Sequence, residues 1–274
     1  MRADQLLVER GLASSRSQAQ RLIAGGLRWR SGELWRTVTK NGDEIPADAQ
    51  LQLQDDSEAR FVSRGGLKLQ AALRQVALDV SGFTCLDVGQ STGGFTDCLL
   101  QQGAARVVGV DVGSAQLHPR LRADPRVLCL EKVNARSLLA SDLIAGYQDS
   151  TRAGGLFGLA EGVNFEPRFD LIVGDLSFIS QTLVLPALVP LLQPGGSLLM
   201  LVKPQFELQP AQVGKGGIVR DAGLYPVVEQ RLRDCCAALH LRVTAWFDSP
   251  IEGGDGNREF FMCARATGDP NSES

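Results

Sequence analysis

The sequence predicts an α/β chain in which a largely parallel, doubly wound, seven-stranded sheet follows a small α+β domain. Three observations carry this. From position 83 onward, apolar strand-length runs alternate with helix-length stretches, the pattern of strands joined by crossover helices. Two of the runs, Leu86-Asp87-Val88 and Phe169-Asp170-Leu171-Ile172-Val173, end in turns of small and acidic residues, where an open sheet places its ligand. Residues 1–60 lack that alternation and hold two short helical patterns followed by short strands.

The chain has 274 residues, room for one large domain and one small one. A hydrophobic content of 44% with 22% charged residues is that of a globular protein and excludes disorder as the main state. The expected division is 1–60, 61–267 and a disordered tail at 268–274. Met1-Arg2-Ala3-Asp4 leads into mixed polar sequence without an apolar core, so no signal peptide is expected. The most apolar window, Leu183 to Val202, is broken by Pro186, Pro190, Pro194 and Gly195-Gly196. A membrane helix needs about 20 uninterrupted apolar residues, so this window predicts a buried helix, a turn and a buried strand. Six cysteines without CxxC spacing point to buried reduced thiols and a cytoplasmic location. The net charge of −3 hides a division along the chain. Residues 1–40 hold eight Lys/Arg against three Asp/Glu, and residues 41–60 one against six. A local basic face of that kind is what contact with phosphates requires.

The elements follow in order. Arg2 to Arg10 has helical spacing stopped by Gly11. Ser15-Arg16-Ser17-Gln18 reads as a capping box for a second helix whose apolar face is Ala19, Leu22 and Ile23, ended by Gly25-Gly26. Leu27 to Thr39, punctuated by Ser31-Gly32, predicts a hairpin, and Asn41-Gly42-Asp43 a turn toward a last strand at 50–54. This pattern, with Ser14-Ser15-Arg16-Ser17-Gln18-Ala19 and Gly42-Asp43-Glu44-Ile45, resembles the RNA-binding domain named after ribosomal protein S4. The candidate RNA contacts are Arg16, Arg21, Arg28 and Arg30.

A helix from about Ser63 to Val76 then leads to strands near 83–88, 106–111, 126–130, 169–174, 197–202, 241–247 and 258–264. The turn at Gly253-Gly254-Asp255-Gly256 makes the last strand antiparallel to its predecessor. A seven-stranded sheet ending in a hairpin is the usual methyltransferase arrangement. The loop Gly89-Gln90-Ser91-Thr92-Gly93-Gly94 agrees: it is neither GxGxxG nor a P-loop, and Gly214-Lys215 is followed by glycine. Its glycines let backbone approach a ligand. Asp111, about 20 residues on, suits a ribose hydroxyl, while Asp87 either orients the loop or meets the amino acid end of S-adenosylmethionine. The expected cofactor contacts are Asp87, Gly89, Gln90, Ser91, Thr92, Gly93, Gly94, Phe95, Asp111, Val112, Asn134 and Asp175, with Gln90 against the methionine portion. No metal site is expected. The segment Gly146 to Pro167 reads as a long glycine-rich loop.

Four charged residues, Lys68, Asp175, Lys203 and Glu259, stand at strand or helix ends beside apolar runs. Val62-Ser63-Arg64-Gly65-Gly66-Leu67-Lys68, Ser91-Thr92-Gly93-Gly94-Phe95-Thr96-Asp97, Asp175-Leu176-Ser177-Phe178, Val202-Lys203-Pro204-Gln205-Phe206-Glu207, Val213-Gly214-Lys215-Gly216-Gly217 and Gly256-Asn257-Arg258-Glu259-Phe260 closely resemble the TlyA (hemolysin A) family. The resemblance implies an FtsJ-like catalytic domain and a Lys68-Asp175-Lys203-Glu259 tetrad for 2′-O-methylation of cytidine in 16S ribosomal RNA, 23S ribosomal RNA or both, within ribosomal subunits. Two other functional classes compete with this one. A non-catalytic RNA-binding factor is opposed by the intact tetrad. A pore-forming hemolysin is opposed by the lack of a spanning helix or barrel-type alternation.

Overall fold

The computed structural model describes residues 1–13, 15–32, 34–53, 60–152, 157, 164–251 and 256–266. They fall into two compact units, Met1–Leu67 and Lys68–Ser274.

In the first unit, α1 (Ala3–Glu9) and α2 (Arg16–Ala24) bury Ala3, Leu6 and Leu7 and Ala19, Leu22 and Ile23, the same i, i+3, i+4 spacing in each. The Ser15 side chain accepts the backbone N–H of Gln18 at 3.3 Å, which caps α2. β1 (Leu27–Arg30) is the centre of a three-stranded sheet between β2 (Trp35–Thr37) and β3 (Gln50–Leu53), antiparallel to both. The turn between β2 and β3 is tied by Asp43, whose carboxylate accepts the N–H groups of Thr39 and Lys40 at 2.8 and 3.0 Å. Those bonds hold its pKa below the ordinary range.

In the second unit the sheet contains β4 (Thr84–Val88), β5 (Arg106–Asp111), β6 (Val127–Glu131), β7 (Phe169–Asp175), β8 (Leu192–Val202), β9 (Leu241–Asp248) and β10 (Phe260–Ala266). The order is β6-β5-β4-β7-β8-β10-β9, with the first five parallel and β10 antiparallel to both its neighbours. The central strands are apolar on both faces, as a sheet covered by helices requires: Leu86, Val108, Ile172 and Leu198 on one face and Cys85, Val107, Leu171 and Leu199 on the other are all fully buried. The reversal in strand order on either side of β4 and β7 opens a crevice at their carboxyl ends.

Three local features differ from the sequence expectation. The helix expected after Leu183 shrinks to one turn at Leu185–Leu188, flanked by 3-10 turns at Gln181–Leu183 and Val189–Leu191, because Pro190 has no N–H to continue it, whereas Pro186 sits in the first turn where none is needed. β8 begins at Leu192, not at 197, and bulges so that Phe169 faces Leu192 while Leu171 faces Ser197. A side chain at Gly196 would sit 2.9 Å from the Gln193 carbonyl and 3.0 Å from that of Phe169, so only glycine passes there. Finally, the start of the 146–167 segment is helical, within Ala140–Arg152. Tyr147 packs with Phe157 and Phe165 at ring distances of 5.3 to 6.2 Å, so these aromatics anchor to the core. Most of 153–163, the 252–255 turn and the 267–274 tail lie outside the described residues. All six cysteines are free thiols. Among the described residues, no helix is long and apolar enough to cross a membrane.

Candidate active site

At the carboxyl end of β4 the chain turns sharply through Gly89, which has φ +81° and whose Cβ would lie 2.8 Å from the Asp175 carbonyl oxygen. Glycine is therefore what lets the ends of β4 and β7 close up. The Gly89 and Gln90 N–H groups donate to the Val110 carbonyl at 2.9 and 3.2 Å, extending the ladder to β5. Asp111 then fastens two loops at once: one carboxylate oxygen accepts from Ser91 N and the other from Gly113 N, each at 2.7 Å. Gly93, at φ +92°, starts the helix Gly94–Gln101, and its missing side chain makes room for Leu117 and Leu121.

Beside this loop lies a cavity of about 500 Å³, a volume typical of small-molecule sites. Six of the expected cofactor contacts line it: Gly89, Ser91, Asp111, Val112, Asn134 and Asp175. The rest of the wall includes Gln116 and Val133, which the sequence did not single out, and Leu176 and Phe178, which stood in a family motif but not among the expected cofactor contacts. Gln116 belongs to no motif, but its Oε1 accepts the Ser91 hydroxyl at 3.1 Å, so the loop places it there. Phe178 is 90% exposed at φ +64°, an unusual backbone state for an aromatic residue, and its ring lies 5.0 Å from that of Phe206.

The other six expected contacts, Asp87, Gln90, Thr92, Gly93, Gly94 and Phe95, are not on the cavity wall. Gln90 is buried beneath the loop. It lies over the backbone of Gly109, where a Cβ would come within 2.0 Å of its carboxamide. Its Nε2 donates to the Thr96 hydroxyl at 2.8 Å, and that hydroxyl donates to Asp87 at 2.7 Å. The same Asp87 oxygen also accepts the Thr96 N–H at 3.0 Å. Complete burial pushes the Asp87 carboxyl up to about 7 against the pull of these bonds. Phe95 stacks on Phe261 in the core at 6.4 Å. This buried group supports the loop from beneath.

The four charged residues form two ion pairs. Lys203, just past β8, lies 2.6 Å from Asp175 at the end of β7 and donates to the Ser177 hydroxyl at 3.0 Å. Lys68, in the helix Gly65–Gln75, donates to Glu259, and both are buried. Burial pushes the Glu259 carboxyl above its ordinary value, while Lys68 and then Lys203 oppose the shift. Strand direction explains the meeting. Asp175 faces Leu201 across the parallel β7–β8 pair, so Lys203 emerges two residues later at the same edge. Because β10 runs the opposite way, with Phe260 facing Val202, it is its first end, preceded by Glu259, that arrives at this edge.

In the first unit, Arg30 and Arg28 lie over the Trp35 ring at 5.0 and 5.9 Å, and Arg36 over that of Trp29 at 5.4 Å. Arg16 and Arg21 are on α2, with Arg16 exposed near its start.

The comparisons with known proteins agree with this architecture. Residues 61–266 match the FtsJ-like methyltransferase family and residues 1–27 the S4 domain. The 16S/23S rRNA (cytidine-2′-O)-methyltransferase TlyA of Mycobacterium tuberculosis is 41% identical over 98% of this chain and 91% of its own length. Hemolysin A of Brachyspira hyodysenteriae is 33% identical over 95% of this chain and 98% of its own. A solved Streptococcus thermophilus structure, 36% identical, superposes with a TM-score of 0.68 over 99% of this chain and 92% of its own. The chain belongs to the FtsJ-like methyltransferase family and, within it, to the TlyA group, in which an S4 domain precedes the catalytic one.

Proposed function

We propose that this protein transfers a methyl group from S-adenosylmethionine to the 2′-hydroxyl of a cytidine in 16S or 23S ribosomal RNA, in the cytoplasm and on ribosomal subunits. The observation that carries the reading is the Lys203–Asp175 pair, which stands at the rim of the 500 Å³ cavity and beside the buried Lys68–Glu259 pair. The relative from M. tuberculosis is named for this reaction.

The cavity wall fits the cofactor's adenosine part. Asp111 spends one contact per carboxylate oxygen on the loops and keeps acceptor capacity for ribose hydroxyls. Val112 and Val133 offer apolar surface to a base, and Asn134 stands beside them with its side-chain oxygen already accepting the Arg136 N–H at 3.0 Å. The bound cofactor supplies a methyl group already activated on a sulfonium. What remains for the protein is to hold the oxygen nucleophile in line. Lys203, fixed by Asp175 and Ser177, holds the 2′-oxygen and stabilises the negative charge that develops on it as the O–CH3 bond forms and the S–CH3 bond breaks, the 2′-proton passing to solvent water. Lys68 and Glu259 keep their end of the site in register. Residues 1–60 act as the S4-type RNA-binding part through Arg16, Arg21, Arg28 and Arg30, and residues 61–267 as the catalytic part.

Mapping 2′-O-methyl groups on ribosomal RNA from cells with and without this protein tests the reading. One or more cytidine methylations that vanish with the gene are expected. Unchanged methylation maps on both RNAs refute it.

A further inference from the structure

At the catalytic edge, Lys68 is paired with Glu259 and Lys203 with Asp175, so the charges cancel pair by pair. Yet a ribose inside an RNA chain carries a phosphodiester on its O3′, next to the 2′-hydroxyl. That anion needs a cation the two pairs do not spare. The segment Val213 to Arg220, conspicuous in the sequence for Gly214-Lys215-Gly216-Gly217, has two. Lys215 and Arg220 are exposed, and neither has a carboxylate partner among the described residues.

The base of this loop is tied by hydrogen bonds and its tip is open. Gly214 N donates to the Ile218 carbonyl at 2.9 Å, and Tyr225 Oη to the Val219 carbonyl at 3.3 Å. Asn257, only 2% exposed, uses both ends of its carboxamide on the loop: Oδ1 accepts from Val219 N at 3.0 Å and Nδ2 donates to the Gly217 carbonyl at 2.9 Å. A Cβ at Gly216 or Gly217 would meet nothing within 4 Å. Asn257 stands two residues before Glu259, and two residues span at most about 7 Å. One short stretch ahead of β10 therefore carries both the loop's anchor and the buried acid.

We infer that Lys215 and Arg220 form a phosphodiester subsite beside the acceptor ribose, with Asn257 as the positioning residue that fixes its place relative to Glu259. The inference rests on the ribose-methylation reading above. Without the Ser/Thr that follows the lysine of a P-loop, the loop is not built for a nucleoside triphosphate. Its ligand is the backbone of the RNA being methylated.

The test uses the full-length protein with isolated ribosomal subunits and saturating S-adenosylmethionine. Lys215→Ala combined with Arg220→Ala should raise KM for subunits at least about tenfold while kcat stays within about threefold. The slope of log affinity against log salt should fall by roughly 1 per lost phosphate contact. Lys215→Arg should retain the parent KM, since charge is what the site supplies. Asn257→Ala should raise KM with Lys215 and Arg220 intact. Calorimetric affinity for S-adenosylmethionine, expected to be unchanged, shows that each variant is folded. A double variant with KM within twofold of the parent and an unaltered salt slope overturns the subsite, and so does a loss confined to kcat. If the unsubstituted protein methylates neither subunit, the ribose-methylation reading itself fails.

Discussion

The Glu207 carboxylate accepts the backbone N–H of Gln181 at 2.8 Å, joining the loop behind Lys203 to the loop behind Asp175. The same side chain also accepts the Ser180 hydroxyl at 2.5 Å. It is 2% exposed, and burial raises its pKa. The Lys203–Asp175 distance is thus set partly from outside the pair. Glu207→Ala, which leaves the Gln181 N–H without its acceptor, should lower kcat by about tenfold or more and cost roughly 1–3 kcal/mol of stability. Glu207→Gln, whose amide oxygen still accepts from Gln181, should recover most of both losses. Single-turnover methyl transfer and denaturant midpoints for the two variants check this.

Lys203→Ala should cut methyl transfer by at least about 10²-fold, the scale of a lost group that stabilises a developing oxyanion. Cofactor affinity measured by calorimetry should survive, because Lys203 is not part of the cavity wall. Single-turnover transfer within about threefold of the parent would remove Lys203 from the mechanism.

The Asp87 carboxyl has an ordinary value of 3.8 and is pushed up to about 7 in the folded protein. A carboxyl raised on folding contributes stability that is complete below its unfolded value and is lost as pH rises through the folded one. Stability should therefore decline between about pH 4 and pH 7 on this account. Asp87→Asn should flatten that part of the profile. Urea midpoints taken at steps across the interval give the comparison, and parallel profiles for the two proteins would show that Asp87 does not titrate there.

Gln90→Ala removes the donor to Thr96 and should cost roughly 1–3 kcal/mol. Gly109→Ala drives a methyl into the Gln90 carboxamide and should cost a similar amount by overpacking. Combined, the two should cost clearly less than their sum, since the shortened side chain frees the space the new methyl takes. Strict additivity in thermal or urea unfolding would mean the two positions do not share that space.

The parts legible in the sequence were those written in composition and chain order. Strand-length runs such as Leu171-Ile172-Val173 and the turn signals after them marked the sheet, because a strand buried on both faces has few polar residues. Lys68, Asp175, Lys203 and Glu259 stood out because charge at the end of an apolar run has a desolvation cost. That Lys68 meets Glu259 was not legible, since it depends on β10 inserting between β8 and β9, an order the chain does not announce. Nor was the inward turn of Gln90. Its direction is set by backbone angles in the turn after β4 and by the absence of a side chain at Gly109, a position 19 residues away that looks unremarkable in a row of valines. Gln116 and Val133 escaped for a related reason: a cavity wall is assembled from loops, which carry no periodicity.

The partnership of Lys68 with Glu259 spans 191 residues. A ribosome adding residues in order makes the lysine early and its acid with the last strand of the sheet. Until that strand pairs with β8, a nascent chain already has the cavity wall, Asp175 and Lys203, yet Lys68 has no partner. A chain that ends before β10 therefore holds one of the two ion pairs and lacks the other. The pair of Lys68 with Glu259 is complete only once β10 has joined β8.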